Sequence, residues 1–208
     1  MDWGSLYRDL ITLFVVIDPI GTIPIFIAVT AGMAPENRPK VALIGVLIAA
    51  IVLYTFLILG QLVFEALGLA LGSFQIAGGI ILFLFALQMI FGPSKPEEEL
   101  NQAKSISQSA VFPLAMPSIA SPGAIMTVII LTDNHGHSVL EQTATAGLLL
   151  GVLVFTFVLL LLANPILKLI GTSGASVISR VMGMILSTVA VDAILNGFAV
   201  LNVIDLNH

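Results

Sequence analysis

The stretch Asp18-Pro19-Ile20-Gly21-Thr22-Ile23-Pro24-Ile25-Phe26 decides how this chain is read, together with Ser121-Pro122-Gly123-Ala124 further along. Each lies inside a long apolar run, and each opens with a residue pair that starts a helix rather than continues one. Asp and Ser side chains accept hydrogen bonds from the first free N–H groups of a helix. Pro suits the first helical position because an N–H there would have no partner anyway. Hydrocarbon supplies no water for freed backbone groups, so an interrupted span persists only where protein or an aqueous cavity satisfies them. The two breaks therefore mark a candidate ligand site.

Composition sets the surroundings of those breaks. With 58% hydrophobic and 9% charged residues, and a mean hydropathy of +1.12, the chain lies outside the range of soluble domains. A hydrocarbon core needs ~20 apolar residues per helix. Leu10–Thr30, Val41–Phe64, Phe74–Phe91, Ala110–Leu131, Thr143–Leu169 and Val177–Leu201 have that length. The expected fold is an all-α membrane protein of six transmembrane helices, one domain over residues 1–208, with spans one and four broken near the midplane. Arg38, Lys40, Lys95, Lys104, Lys168 and Arg180 fall on one side of these spans and only Arg8 on the other. The excess of positive charge in cytoplasmic loops then puts both termini outside, with Trp3 and Tyr7 in the outer aromatic belt. The start MDWGSLYRD carries no basic region of the kind that opens a signal peptide.

The second half repeats the first. A shift of 103 residues lays Asp18 on Ser121, Pro19 on Pro122 and Gly68 on Gly171; one more residue lays Gly79 on Gly183, Ala86 on Ala190 and Gln88 on Asp192. Repeat one covers about 1–92, the polar linker 93–106 follows, and repeat two covers about 107–202. Three spans per unit is an odd number, so the second unit enters the membrane from the opposite side. Secondary transporters use such inverted repeats and bind substrate at the repeat interface. Facing helix N-termini at the two breaks each carry about half a positive charge and free N–H donors, which suits an anion. Gly21, Pro24, Pro113, Pro117 and Gly123 loosen the same segments.

Ionisable groups inside the spans narrow the chemistry. Asp18 and Asp192 lie at membrane depth, where a carboxylate costs roughly 2.5–3.5 kcal/mol or more. A carboxyl there can carry a coupling proton or ion, and Thr188 and Asn196 share the Asp192 helix face one turn away. Arg180 either snorkels to the interface or binds a carboxylate in the cavity. The substrate-binding set is Asp18, Pro19, Gly21, Thr22, Ser118, Ser121, Pro122, Gly123 and Arg180; the coupling-ion set is Asp18, Asp192 and Thr188. Gln61, Gln75, Gln88, Asn164 and Ser179 are read as helix-packing donors and acceptors. The Gly147-x-x-x-Gly151 pattern is read as packing within the subunit, leaving a homo-oligomer as the alternative.

Other classes fit less well. A net charge of −5 without a basic run excludes nucleic acid. With no Cys there are no disulfides, thiolate catalysis or Cys-ligated metal. Gly171-Thr172-Ser173-Gly174 superficially matches an intramembrane serine protease, but the histidines, His135, His137 and His208, lie outside the spans, so no enzyme is expected. His135-Gly136-His137 is read as solvated rather than as a metal site. No cofactor motif or P-loop is present. A channel or facilitator for a small polar solute, or a non-transporting scaffold, is the alternative to a transporter.

The DPIGTIPIF element at 18–26, Phe112-Pro113-Leu114-Ala115-Met116-Pro117 leading into Ser121-Pro122-Gly123-Ala124, and the span from Arg180 to Asn196 resemble the MarC family of six-helix bacterial and archaeal inner-membrane proteins. The resemblance covers nearly the whole chain. It implies a multi-pass protein of the cytoplasmic membrane and, for some members, transport of small neutral amino acids such as glycine and alanine. It also implies kinship with LysE-type exporters. A zwitterion needs an anion site and an ammonium acceptor, which the paired breaks and Asp18 supply; an H⁺ or Na⁺ gradient would drive the movement.

Overall fold

The computed structural model describes residues 3–30, 32–66, 68, 70–91, 106–134, 136–201 and 203, and every element of these is helical. Lys95, Lys104, His135, His208 and the linker at 93–105 lie outside the described residues. The first half comprises α1 (Trp3–Ile17), α2 (Pro19–Thr30), a short 3₁₀ turn at Pro35–Asn37, α3 (Arg38–Ala66) and α4 (Leu71–Phe91). The second opens with α5 (Ile106–Ser109), which runs into an irregular segment, Ala110–Ile119. Then follow α6 (Pro122–Leu131), α7 (Val139–Leu161) and α8 (Ala163–Val200). Among the described residues, Pro35–Gly60, Val139–Leu161 and Arg180–Val200 are each long and apolar enough to cross a membrane in one piece. Ile106–Ile119 and Pro122–Leu131, bent by 55° at their junction, make a fourth if taken as one span.

Both expected interruptions are present, and they differ in form. At the first, α1 hydrogen-bonds helically through Asp18, whose N–H donates to the Phe14 carbonyl (3.1 Å); a φ of 48° at Asp18 then redirects the chain into α2. At the second, the approach itself is irregular. Phe112 and Met116 have extended backbones, because a residue before proline is sterically driven out of the helical region, and Pro113 and Pro117 follow them. Helical order resumes only after Ser121.

The halves pack by exchanging partners. α1 and α2 lie mainly against α7 and α8, while Ala110–Ile119 and α6 lie against α3 and α4. The most extensive pairing is α4 with α8, where glycines allow backbones to approach. A Cβ on Gly79 would fall 2.8 Å from the Ala190 carbonyl oxygen and 2.5 Å from Ile194, and one on Gly183 would fall 3.1 Å from the Ala86 carbonyl oxygen and 3.0 Å from Ile90. Gly72 meets Gly197 in the same way, so the two helices run antiparallel. Gly68 (φ 65°) and Gly171 (φ 68°) take left-handed conformations; at Gly171, with ψ 169°, the helical path of α8 is interrupted. Only glycine adopts that conformation without strain.

One packing expectation is overturned. Gly147 and Gly151 have nothing within 4 Å of where a Cβ would stand. Both are exposed on α7 and hold no helix among the described residues. A small-residue spacing fixes which residues share a face, not which way that face turns.

Candidate functional site

Asp18 carries two local roles that few residues combine. It ends α1 in the left-handed region, which Asp tolerates better than most non-glycine residues, and it caps α2. Its Oδ1 accepts from the Gly21 N–H (2.9 Å), and its carbonyl oxygen accepts from the Thr22 N–H (3.1 Å) and the Thr22 hydroxyl (3.0 Å). Ser121 caps α6 with the same two bonds. Its Oγ accepts from the Ala124 N–H (3.0 Å) and its carbonyl from the Ile125 N–H (3.0 Å). Gly21 and Ala124 occupy equivalent places under the 103-residue shift.

A hydroxyl pair joins the two caps. Ser118 Oγ donates to Thr22 Oγ1 at 3.2 Å, across the boundary between the halves. Exposure is 3% at Asp18, 0% at Thr22, 4% at Ser118 and 0% at Ser121, so the cluster is enclosed. Thr22 lies one turn beyond Asp18, and residues so spaced on a helix are ~5–6 Å apart. Gly21, Pro19 and Gly123 are buried beside the caps, whereas Pro122 is exposed. The arrangement offers one carboxylate, three hydroxyls and two helix N-termini, and the sequence neighbours Ile17, Ile23 and Ile119 are fully buried with them. It can therefore meet a ligand carrying both signs of charge.

Three sequence-selected residues stand apart from this cluster. Arg180, Thr188 and Asp192 are exposed on α8. Asn196 Nδ2 donates to Asp192 Oδ2 (3.1 Å), as the one-turn spacing suggested, but Thr188 Oγ1 donates to the Met184 carbonyl (3.2 Å) instead. Of the packing amides, Gln88 and Asn164 are exposed and Gln75 Oε1 is buried with no partner among the described residues.

Sequence reasoning missed a second buried polar contact. Thr145 Oγ1 on α7 donates to Asp9 Oδ2 on α1 at 2.9 Å, and both residues are buried. Asp9 precedes the run assigned to span one, so it reads as interfacial. The available signal was the helix face, because Asp9 shares the i, i+4, i+7 stripe of Leu13 and Val16, which are buried. Asp133 is also buried, turning the loop between α6 and α7 with its Oδ2 accepting from the Gly136 N–H (3.0 Å). Among the described residues no cluster of His, Asp or Glu could hold a metal ion.

Comparison with known proteins places these features in a lineage. No solved structure matches the chain. A UPF0056 membrane protein of Archaeoglobus fulgidus is 33% identical over 93% of this chain and 92% of its own. One from Buchnera aphidicola subsp. Schizaphis graminum is 35% identical over 93% and 96%. The UPF0056 membrane protein YhcE of Escherichia coli is 31% identical over 94% and 93%. The family model described as MarC family integral membrane protein matches residues 3–201, and with two broken helices meeting at Asp18 and Ser121 inside an apolar helical bundle, this chain belongs to the MarC family.

Proposed function

We propose that the protein is a secondary transporter of small neutral amino acids, glycine- or alanine-like, coupled to H⁺ or Na⁺, with its site where the two broken helices meet. The observation that carries the reading is the matched pair of caps, Asp18 on α2 and Ser121 on α6, joined through Thr22 and Ser118. The substrate carboxylate faces the N-termini of α2 and α6, where partial positive charge and hydroxyl donors converge. Its ammonium group faces Asp18. A small side chain suits a site beside Gly21 and Gly123, both buried next to the caps. Arg180, Thr188 and Asp192 lie outside the enclosure, which leaves Asp18 to sense the coupling ion.

The transporter reading includes a 3+3 inverted repeat of six spans with both termini outside, in a bacterial or archaeal cytoplasmic membrane. Support comes from features that recur under the sequence shift. The cap bonds recur at 103 residues, as do the left-handed Gly68 and Gly171. At 104 residues Gly79, Ala86 and Ile90 map to Gly183, Ala190 and Ile194, and the contacts between them swap: Gly79 meets Ala190 and Ile194, while Gly183 meets Ala86 and Ile90. Such mutual exchange is what a two-fold axis between antiparallel helices produces.

Counterflow in proteoliposomes tests the function. Radiolabelled glycine or alanine should accumulate transiently against excess unlabelled substrate inside, and Ser121→Leu should abolish it while the protein still inserts. Flux without overshoot would make the protein a channel or facilitator. Absence of both flux and ligand-induced thermal stabilisation over the common amino acids would leave a scaffold.

A further inference from the structure

The outward face of α8 is built differently from a surface that meets only lipid. Gly183, Leu186, Ala190 and Gly197 turn inward, the glycines against α4. On the opposite face Val177, Val181, Met184, Thr188, Val191 and Leu195 are all exposed. Their spacing is 4, 3, 4, 3 and 4 residues, the seam of a two-helix coiled coil, continued without interruption along the helix. Asp192 flanks this seam near the middle of the apolar stretch Arg180–Val200, and it is exposed too.

An ionisable side chain at that depth is costly against acyl chains and is tolerated when it faces protein or water. Among the described residues its one hydrogen-bond partner, Asn196, is on the same helix and leaves the outward side of the carboxylate uncovered. We infer that this face is covered by the same face of a second copy of the chain, α8 packing parallel to α8 about a two-fold axis normal to the membrane. Two copies inserted in the same sense necessarily present α8 in parallel. The register then follows from the seam. Thr188 occupies a central seam position and meets Thr188 of the second copy, and a polar residue at one such position is what fixes register in coiled coils.

In a parallel pair the flanking position that precedes a seam residue faces the flanking position five residues further along the other helix. Five residues separate Ser187 from Asp192. The Ser187 hydroxyl, which in the single chain donates to the Met184 carbonyl at 2.7 Å, is thereby brought to Asp192 of the second copy, and the converse contact forms by symmetry. The face is self-complementary: an acceptor at 192, a donor at 187, and apolar residues between. This favours a second copy over an unrelated partner. The equivalent face of α4 bears Ser73, Ala77, Ile80, Leu84 and Phe91 and has no carboxylate at the position of Asp192, where Gln88 stands.

The chain contains no Cys, so single-cysteine variants report the interface without background. Met184→Cys and Val191→Cys, both on the seam, should form disulfide-linked dimers in oxidised vesicles about tenfold faster than Leu84→Cys on α4 or Leu150→Cys on α7, because a held pair has a far higher effective concentration than diffusing neighbours. Native mass spectrometry of the wild-type chain in lipid nanodiscs should give the mass of two copies. Equal cross-linking at all four positions means random collision and overturns the inference. Faster linking at Leu150→Cys moves the interface to the Gly147–Gly151 stripe and overturns it equally. A single-copy mass in nanodiscs does so whatever the cross-linking shows.

Discussion

Adding one methyl group at each of four glycines separates the packing described here from a merely compositional use of small residues. At Gly79 an added Cβ would stand 2.5 Å from Ile194 Cγ1 and 2.8 Å from the Ala190 carbonyl oxygen. At Gly183 it would stand 2.9 Å from Met89 Cβ and 3.1 Å from the Ala86 carbonyl oxygen. Carbon atoms pack best at ~3.5–4.0 Å, and backbone cannot swing aside as a side-chain tip can, so α4 and α8 must part or slide. Overpacking of this kind costs about 1–3 kcal/mol. The better helix propensity of Ala offsets about 0.8–1 kcal/mol of it. The net is a loss of roughly 1–2 kcal/mol for Gly79→Ala, where the overlap is worse, and somewhat less for Gly183→Ala. Gly147→Ala and Gly151→Ala meet nothing within 4 Å, so propensity alone acts and they gain up to about 1 kcal/mol. For a chain of this size each kcal/mol moves the melting temperature by ~2–4 °C. Thermal unfolding of the purified protein in detergent should thus lower Tm for Gly79→Ala and raise it for Gly147→Ala. The two α4–α8 contacts are about seven residues apart, ~10 Å along a helix, so the double variant should be additive within about 0.5 kcal/mol. Equal shifts at all four glycines, or no loss at Gly79, would refute the close approach of α4 and α8.

Asp18→Asn retains both the cap and tolerance of the left-handed region, so its Tm should stay close to wild type while substrate accumulation driven by an ion gradient is lost; Asp18→Ala should lose about 2 kcal/mol as well, from the cap and the strained φ together. Wild-type accumulation in Asp18→Asn would confine the residue to capping. Thr145→Val removes the donor to the buried Asp9 carboxylate and should cost about 1–3 kcal/mol, whereas Asp9→Leu combined with Thr145→Val should cost less than Thr145→Val alone; a thermal-melt series that finds the double variant worse would show that Asp9 has another partner. Gly171→Ala forces a Cβ into a conformation that only Gly adopts freely and should destabilise by about 1–3 kcal/mol, even though nothing lies within 4 Å of it; an unchanged Tm would mean that α8 runs straight through this position.

What was legible in the sequence was local chemistry whose signal is carried by single residue types. Asp-Pro and Ser-Pro start helices wherever they stand, and the caps are found at Asp18 and Ser121. Pro113 and Pro117 forbid regular helix for the residues before them, and the chain is extended at Phe112 and Met116. Direction was not legible. In a chain apolar on nearly every side, periodicity no longer separates a face that meets protein from one that meets lipid. Gly147 and Gly151 accordingly turned outward, Arg180 and Asp192 stood apart from the cap cluster, and Asp9 was found buried. Nor does the sequence contain the left-handed turn at Asp18, which arises because α1 keeps its hydrogen bonding up to the residue that must also begin α2.

That turn explains why the two breaks, alike in hydrogen bonding, are unlike in sequence. Ser121 begins α6 from an extended backbone, φ −69° and ψ 157°, a conformation open to any residue, so a neutral hydroxyl is sufficient there. Asp18 must accept φ 48° and cap at once, which limits the choice in practice to Asp or Asn. Either would serve the backbone equally. The ionisable member of that pair is the one present, at an enclosed position where a carboxylate is costly, and in the proposed transporter it faces the ammonium end of the substrate. The asymmetry between Asp and Ser, set within matched geometry, gives the site a direction, and a zwitterion held between the two caps would be oriented by it.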